Sequence, residues 1–156
     1  MKVIGIAFSD LHLGEYSKFN EDNKRTLNHI RVLYLIKDLC IKYKCPAFFC
    51  GDFMHRPEFI STSLDEIIIE QFEELNRCEE FNIYGISGNH CMPKANTIEH
   101  RSPSHWANLC RRYSFLHNID FSYHDFGKFR VVGIPYIDHN NGLDGLIKSE
   151  LKGAML

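Results

Sequence analysis

Three short motifs with metal-ligating side chains occur in order along the chain. They are Ser9-Asp10-Leu11-His12, Gly51-Asp52-Phe53-Met54-His55 and Ser87-Gly88-Asn89-His90. Together they offer two carboxylates, an amide oxygen and several imidazoles, and this mixture of donors suits Mn²⁺, Fe²⁺ or Zn²⁺. One Asp-x-His alone is weak evidence for a metal site, but three such motifs together predict a centre for divalent cations.

Each motif follows a short apolar segment, at residues 2–8, 47–50 and 82–86. Apolar runs rich in β-branched and aromatic residues are typical of strands buried on both faces of a parallel sheet. Ligands of open α/β sheets bind beyond the carboxyl ends of the strands, so we expect the three motifs to converge at one edge. The alternative is that Asp10 and Asp52 only cap helices or turns, which would leave the accompanying His and Asn residues without a role.

Helical patterns separate these predicted strands. Apolar side chains recur at helical spacing in residues 23–44 and 64–80, and Ser63-Leu64-Asp65-Glu66 resembles a capping box. Further along we expect a short helix over 104–113, a β-hairpin over 119–136 and a final helix over 142–152. The order predicts an α/β fold with a β-α-β-α-β core plus a β-hairpin. We expect a single domain over residues 1–156, because the chain has no repeat, low-complexity segment or linker.

Composition limits the possible classes of protein. The chain has 156 residues, of which 44% are hydrophobic, enough for one core. It has no apolar stretch near the roughly 20 residues of a membrane span, and no signal-peptide pattern. Its six cysteines form no Cys-x-x-Cys pair. These features predict a reduced, cytoplasmic protein without membrane contact.

The net charge is −2, so the chain lacks the basic excess of many nucleic-acid binders. Any contact with DNA would come from a local patch or from a partner. The best local patch is residues 94–112, where Lys94, Arg101, Arg111 and Arg112 surround the lone Trp106. Such a patch can bind phosphates and stack a base. The alternative is an ordinary loop and helix with Trp106 in the core.

The combination of Asp-x-His, Gly-Asp-x-x-His and Gly-Asn-His resembles the calcineurin-like metallophosphoesterases. It is most similar to their nuclease branch, the Mre11/SbcD-like DNA repair exonucleases, because Phe53-Met54-His55-Arg56-Pro57 stands where the protein phosphatases have Asp-Arg-Gly. The segment Val131-Val132-Gly133-Ile134-Pro135-Tyr136 resembles a later strand of those nucleases. The resemblance covers residues 1–136 and implies part of a two-sheet sandwich flanked by helices.

The resemblance also implies a role for each metal-ligating residue. Asp10 and His12 would bind one metal ion, and Asn89 would bind a second ion through its amide oxygen. Asp52 would bridge the two ions. The implied cofactors are divalent ions, above all Mn²⁺, with Fe²⁺ or Zn²⁺ as alternatives.

Two further histidines receive catalytic roles from the resemblance. His90 would donate a hydrogen bond or a proton near the leaving oxygen, and His55 would orient substrate or assist proton transfer. The implied activity is two-metal hydrolysis of DNA by an exonuclease or endonuclease subunit, with DNA as substrate. A homodimer or an ATPase-type subunit is the implied partner.

The chain departs from the family pattern in two ways. Cys91 stands where the family usually has an acid, and the downstream lone His and Gly-His-x-His motif are missing. We therefore expect a domain that is incomplete at its C-terminus, with the missing ligands supplied by another chain or by the rest of a longer protein. Five histidines are candidate replacements: His100, His105, His117, His124 and His139.

Two other functions stay open from the sequence. One is a catalytically weak or inactive truncated module that acts through a partner chain. The other is a phosphoesterase for small molecules or cyclic nucleotides. An incomplete sandwich would leave apolar hairpin side chains uncovered. The residues that we expect to be exposed are Phe121, Tyr123, Phe129, Val131 and Ile134.

Overall fold

Four short parallel strands form the main sheet of the computed structural model, which describes residues 2–14, 16, 24–55, 61–91 and 104–136. They are β1 (Ile6–Phe8), β2 (Ala47–Phe49), β3 (Ile83–Gly85) and β4 (Leu116–Asn118), adjacent in this order. Each strand pairs in parallel with its neighbour. The α/β class and the existence of the first three strands agree with the sequence prediction. The expected burial on both faces is wrong for β1, because β1 is an edge strand without a buried residue.

Three helices connect the strands: α1 (Lys24–Tyr43), α2 (Thr62–Asn76) and α3 (His105–Arg112). Every third or fourth side chain of α1 and α2 is buried. The buried apolar residues are Ile30, Leu33, Ile36 and Cys40 in α1, and Leu64, Ile68, Phe72 and Leu75 in α2. This spacing gives each helix one apolar stripe, which packs into the main core. Within the part of the chain that the structure describes, no helix is long and apolar enough to cross a membrane.

Trp106 of α3 is fully buried at the centre of the core. Its ring packs against Phe49 and Phe53, with centroid distances of 4.8 and 5.2 Å, and its Nε1–H donates to the carbonyl of Gly85 at 3.0 Å. The structure therefore favours the alternative in which Trp106 is a core residue, because a buried ring cannot stack on a nucleic-acid base. The basic residues 94–103 of the predicted patch lie outside the described residues.

A two-stranded antiparallel hairpin packs on the face of the main sheet opposite to the face that Trp106 covers. It consists of β5 (Tyr123–Asp125) and β6 (Arg130–Val132), as the sequence predicted. Phe126 and Phe129 pack against Phe48 of β2, with centroid distances of 5.7 and 6.3 Å. The expected exposure of the hairpin is therefore only partly correct. Tyr123 and Ile134 are each 44% exposed, whereas Phe121, Phe129 and Val131 are half-buried.

The structure corrects two predicted boundaries and adds one strand. Helix α2 begins at Thr62 and ends at Asn76, and its N-cap is Ser61 instead of Ser63. Strand β4 was not predicted, because His117 and Asn118 interrupt the apolar pattern in an edge strand of three residues. The predicted helix over 142–152 lies outside the described residues.

We expect Ser61→Ala to lower the free energy of unfolding by about 1 kcal/mol, because Ser61 is the N-cap of α2. Its side-chain oxygen accepts the N–H of Leu64 at 3.4 Å. Ser63→Ala is the comparison variant: it removes an exposed hydroxyl that lies 3.3 Å from Oγ of Ser61, leaves that Oγ as acceptor for Leu64, and introduces a good helix former. Urea unfolding measures the free energy of unfolding of both variants. A larger loss in Ser63→Ala would assign the cap to Ser63.

Candidate metal centre

The three motifs form adjacent loops beyond the carboxyl ends of β1, β2 and β3. We call them loop 1 (residues 9–14), loop 2 (residues 50–55) and loop 3 (residues 86–91). The N–H groups of Asp10 and His12 donate to the carbonyls of Gly51 and Asp52 at 3.0 and 2.9 Å. The N–H of His55 donates back to Leu13 at 2.8 Å. These bonds continue the β1–β2 pairing into the loops and hold the first two motifs side by side.

The backbone is unusual at three of the predicted ligands. Asp10, His12 and Asp52 have φ angles of 58°, 45° and 63°, so they account for three of the five non-glycine residues with positive φ in the described chain. Residues other than glycine seldom adopt this conformation, and it tends to cluster at functional sites. Asp tolerates the left-handed region better than most residues. The strain is consistent with loops shaped to direct side chains to one place.

Two glycines allow loops 2 and 3 to touch. A Cβ on Gly51 would lie 2.9 Å from the Cα of Gly88, and a Cβ on Gly88 would lie 2.2 Å from Oδ1 of Asp52. The same Oδ1 accepts the N–H of His90 at 2.9 Å. Asp52 thus joins loop 3 to loop 2 directly, in contacts that leave no room for a side chain at position 88.

Two overlapping groups of side chains could hold a cation. The ligating atoms of Asp10, His12 and Asp52 all lie within 4.8 Å of one another, and the same holds for His12, His55 and His90. The side chain of Asp10 is 66% exposed and that of His12 is 25% exposed. The site is therefore open to ions and anionic ligands from solution.

The surroundings of the Asp10 carboxylate and the His12 ring bear on how they could hold a cation. The hydroxyl of Ser9 donates to the Asp10 carboxylate and is the main cause of a lowered pKa of Asp10, against an opposing effect of desolvation. Nε2 of His12 lies 3.4 Å from Oδ1 of Asp10, while its buried Nδ1 has no hydrogen-bond partner among the described residues. Because a carboxylate oxygen only accepts hydrogen bonds, Nε2 of His12 carries a proton in the absence of a cation. A cation at Nε2 would displace that proton, which the unpartnered Nδ1 could then carry.

The tautomer of His90 follows from one contact. Its Nδ1 lies 3.1 Å from the carbonyl oxygen of His55. A carbonyl oxygen only accepts hydrogen bonds, so Nδ1 carries a proton and the neutral ring has its lone pair on Nε2. The rings of His55 and His90 are stacked with their centroids 5.7 Å apart. In its neutral form, His90 is thus a base or a ligand, and only the imidazolium can donate from Nε2.

Sequence reasoning missed Tyr16, which adjoins this centre. Its hydroxyl donates to the carbonyl of His12, and its ring stacks on His55 with a centroid distance of 5.2 Å. The guanidinium of Arg25 lies 3.7 Å from the centre of the same ring. Tyr16 stands four residues after His12, but no pattern in the sequence indicates that its ring turns back to the loop.

The other residues predicted for the site are Asn89, Cys91 and the candidate replacement histidines. Asn89 is exposed at the start of a short 3₁₀ turn, Asn89–Cys91, and Cys91 is buried behind it. Three candidate replacement ligands, His105, His117 and His124, belong to neither group of potential ligands. The two other candidates, His100 and His139, lie outside the described residues, as do Arg56 and Pro57.

His117 is a candidate replacement ligand that the structure places outside the metal centre. Its ring stacks on Tyr84 with a centroid distance of 4.5 Å, and Nε2 lies 2.8 Å from Oδ1 of Asn82. Burial is the main cause that lowers the pKa of His117. His117 therefore packs between the sheet and the hairpin, away from the three loops.

No protein-family model matches this chain, and no curated protein matches it. The resemblance to metallophosphoesterases therefore stays a prediction from the three sequence motifs.

Proposed function

We propose that this chain is a metal-dependent phosphodiesterase of the calcineurin-like type, within the Mre11/SbcD-like nuclease branch. The observation that carries the proposal is the convergence of Asp10, His12 and Asp52, whose ligating atoms lie within 4.8 Å of one another. The parallel sheet with helices on one face and a hairpin on the other is compatible with one part of a two-sheet sandwich.

In this proposal Asp10, His12 and Asp52 hold a divalent ion, with Mn²⁺, Fe²⁺ or Zn²⁺ as the candidates. Such an ion neutralises phosphate charge and lowers the pKa of a bound water molecule. Asp52 also accepts the N–H of His90 through Oδ1, so the same carboxylate orients loop 3. Asn89 is proposed as a ligand of a second ion, on the basis of the resemblance alone.

His90 and His55 are the proposed catalytic residues. The carbonyl of His55 holds the proton of His90 on Nδ1, which directs Nε2 away from that carbonyl and toward a reacting group. As an imidazolium, His90 can give a proton to a leaving oxygen, and as a neutral ring it can take one from a nucleophile. His55 stacks against His90 and keeps this ring in one orientation.

DNA is the proposed substrate, and small phosphoesters or cyclic nucleotides are the competing one. The exposed carboxylate of Asp10 favours DNA, because a ligand that is open to solvent does not restrict the substrate to a small molecule. The six cysteines are free thiols, which accords with the proposed cytoplasmic location.

A second candidate function is a weakly active module that works through a partner, such as another copy of the chain or an ATPase-type subunit. The exposed apolar side chains after β4 favour it, because such side chains often mark partner sites. They are Tyr123, Val132, Ile134 and Tyr136. Analytical ultracentrifugation of the parent and of Val132→Asp tests self-association, which the charged variant should weaken. If the parent chain is a monomer, another copy of the chain is ruled out as the partner, and an ATPase-type subunit is the remaining candidate.

The direct test of function uses a verified monomer with Mn²⁺. We expect calorimetry to show one tight Mn²⁺ site, because only one complete group of carboxylate and imidazole ligands is present among the described residues. We also expect weak, Mn²⁺-dependent cleavage of DNA that exceeds cleavage of a small chromogenic phosphodiester and is lost in His90→Ala. A parent chain that binds no divalent ion would contradict the proposed function.

A further inference from the structure

We propose that Asp120 is a positioning residue of the metal centre, because its carboxylate holds Ser87 and thereby sets loop 3 against Asp52. The inference rests on the proposed function only in its consequence for metal binding. Asp120 lies in the connection between β4 and β5, outside all three motifs.

The contacts between Asp120 and Ser87 use both oxygens of the carboxylate. Oδ1 accepts the backbone N–H of Ser87 at 2.8 Å, and Oδ2 accepts its hydroxyl at 2.6 Å. Ser87 is completely buried, so neither donor can turn to water if the carboxylate is removed. A buried donor without a partner is unfavourable, which makes this pair of bonds important for the position of loop 3.

A second hydroxyl completes the network. Oγ of Ser104, the N-cap of α3, lies 2.5 Å from Oγ of Ser87 and accepts the N–H of Ala107 at 3.0 Å. Because the Ser87 hydroxyl donates to Asp120, the hydroxyl of Ser104 must donate to Ser87. The hydrogen bonds therefore run in one direction, from Ser104 through Ser87 to Asp120, and tie loop 3 to the start of α3.

Loop 3 transmits this position to the metal centre over three residues. Gly88 follows Ser87 and touches Asp52, and the N–H of His90 donates to Oδ1 of Asp52. The carbonyl of Ser87 accepts the N–H of Tyr136 at 2.9 Å, so both backbone groups of Ser87 are held by later parts of the chain. A displacement of Ser87 would move His90 away from Asp52 and disturb both side chains together.

The experiment compares Asp120→Ala with Asp120→Asn. It also includes a variant that removes a similar pair of side-chain hydrogen bonds elsewhere in the chain. Asn keeps one acceptor for the N–H of Ser87 and can donate to its hydroxyl, so it should preserve most of the effect. The matched control is Asn76→Ala. Oδ1 of Asn76 accepts the N–H and hydroxyl of Ser114 at 2.8 and 3.0 Å. Ser114 precedes the amino end of β4, whereas the three loops follow the carboxyl ends of the parallel strands.

Two readouts separate positioning from general stability. Hydrogen exchange of the His90 amide reports its bond to Asp52 without any metal, and calorimetry reports Mn²⁺ affinity at a temperature where every variant is folded. We expect Asp120→Ala to speed this exchange and to weaken Mn²⁺ binding by up to roughly 10-fold. This is the lower end of the loss caused by removing a direct partner of a metal ligand, because Asp120 acts through Ser87. Asp120→Asn should change both readouts little. Asn76→Ala should lower the melting temperature without changing the exchange of the His90 amide or the Mn²⁺ affinity.

Each result decides between the two proposals. Parent-like exchange and affinity in Asp120→Ala, or equal losses in Asn76→Ala, would overturn the positioning role. Faster exchange in Asp120→Ala, together with a parent chain that binds no Mn²⁺, would retain the positioning of loop 3 and overturn the metal centre. If Asp120→Ala does not fold, Ser87→Ala supplies the comparison, because it removes only the hydroxyl. Exchange of the His90 amide should then be faster than in the parent chain, and parent-like exchange would overturn the positioning role.

Discussion

Asp52→Asn is expected to lose Mn²⁺ binding while its fold stays intact. Asn tolerates the left-handed backbone of this position, where φ is 63°, and its amide oxygen can still accept the N–H of His90. The substitution therefore removes the charge and leaves the connection between loops 2 and 3. We expect Mn²⁺ affinity to fall by at least roughly 100-fold, since loss of an outer partner alone costs about 10–100-fold.

The control for this prediction is Asp38→Asn, which makes the same change of charge on an exposed face of α1. Asp38 lies outside the three motifs, and its exposed side chain forms a long ion pair with Lys37, at 3.7 Å. Calorimetry measures the affinity of both variants, and urea unfolding measures their stability. Parent-like Mn²⁺ affinity in Asp52→Asn would remove Asp52 from the ligand set and would contradict the proposed function.

Gly88→Ala is expected to separate loops 2 and 3 and to weaken both stability and metal binding. The added Cβ would lie 2.2 Å from Oδ1 and 2.4 Å from the backbone nitrogen of Asp52. The backbone atom cannot swing aside as a flexible side chain would, so the loops must move. Overpacking of this kind typically costs about 1–3 kcal/mol, which urea unfolding would detect. Because Asp52 is displaced, Mn²⁺ affinity should fall at the same time.

Gly127→Ala separates this local clash from a general loss of stability. Gly127 lies in the hairpin turn with a φ of 79°, and a Cβ there would meet no atom within 4 Å. The variant should lose about 1–2 kcal/mol through backbone strain alone, with parent-like Mn²⁺ affinity. A Gly88→Ala variant that keeps both stability and affinity would show that loops 2 and 3 are not held in contact.

Much of the scaffold was predictable because its signals are local. The apolar runs before Asp10, Asp52 and Asn89 became β1, β2 and β3, and the helical spacing of apolar residues located α1 and α2. Strand β4 was not predictable in the same way, because it is short and includes polar residues. Its position depends on pairing with β3, which is a contact between distant parts of the chain.

Residue types and their places after strands determined which donors the candidate centre contains and at which edge of the sheet they lie. The tertiary structure alone decided how those donors are held. Tyr16 packs on His55, the carbonyl of His55 sets the tautomer of His90, and Asp120 reaches Ser87 across 33 residues. Such contacts depend on how loops turn after the strands end, and local periodicity carries no information about that direction. The physical reason is that periodicity records which face of an element is buried, whereas hydrogen bonds between loops require the relative placement of several elements.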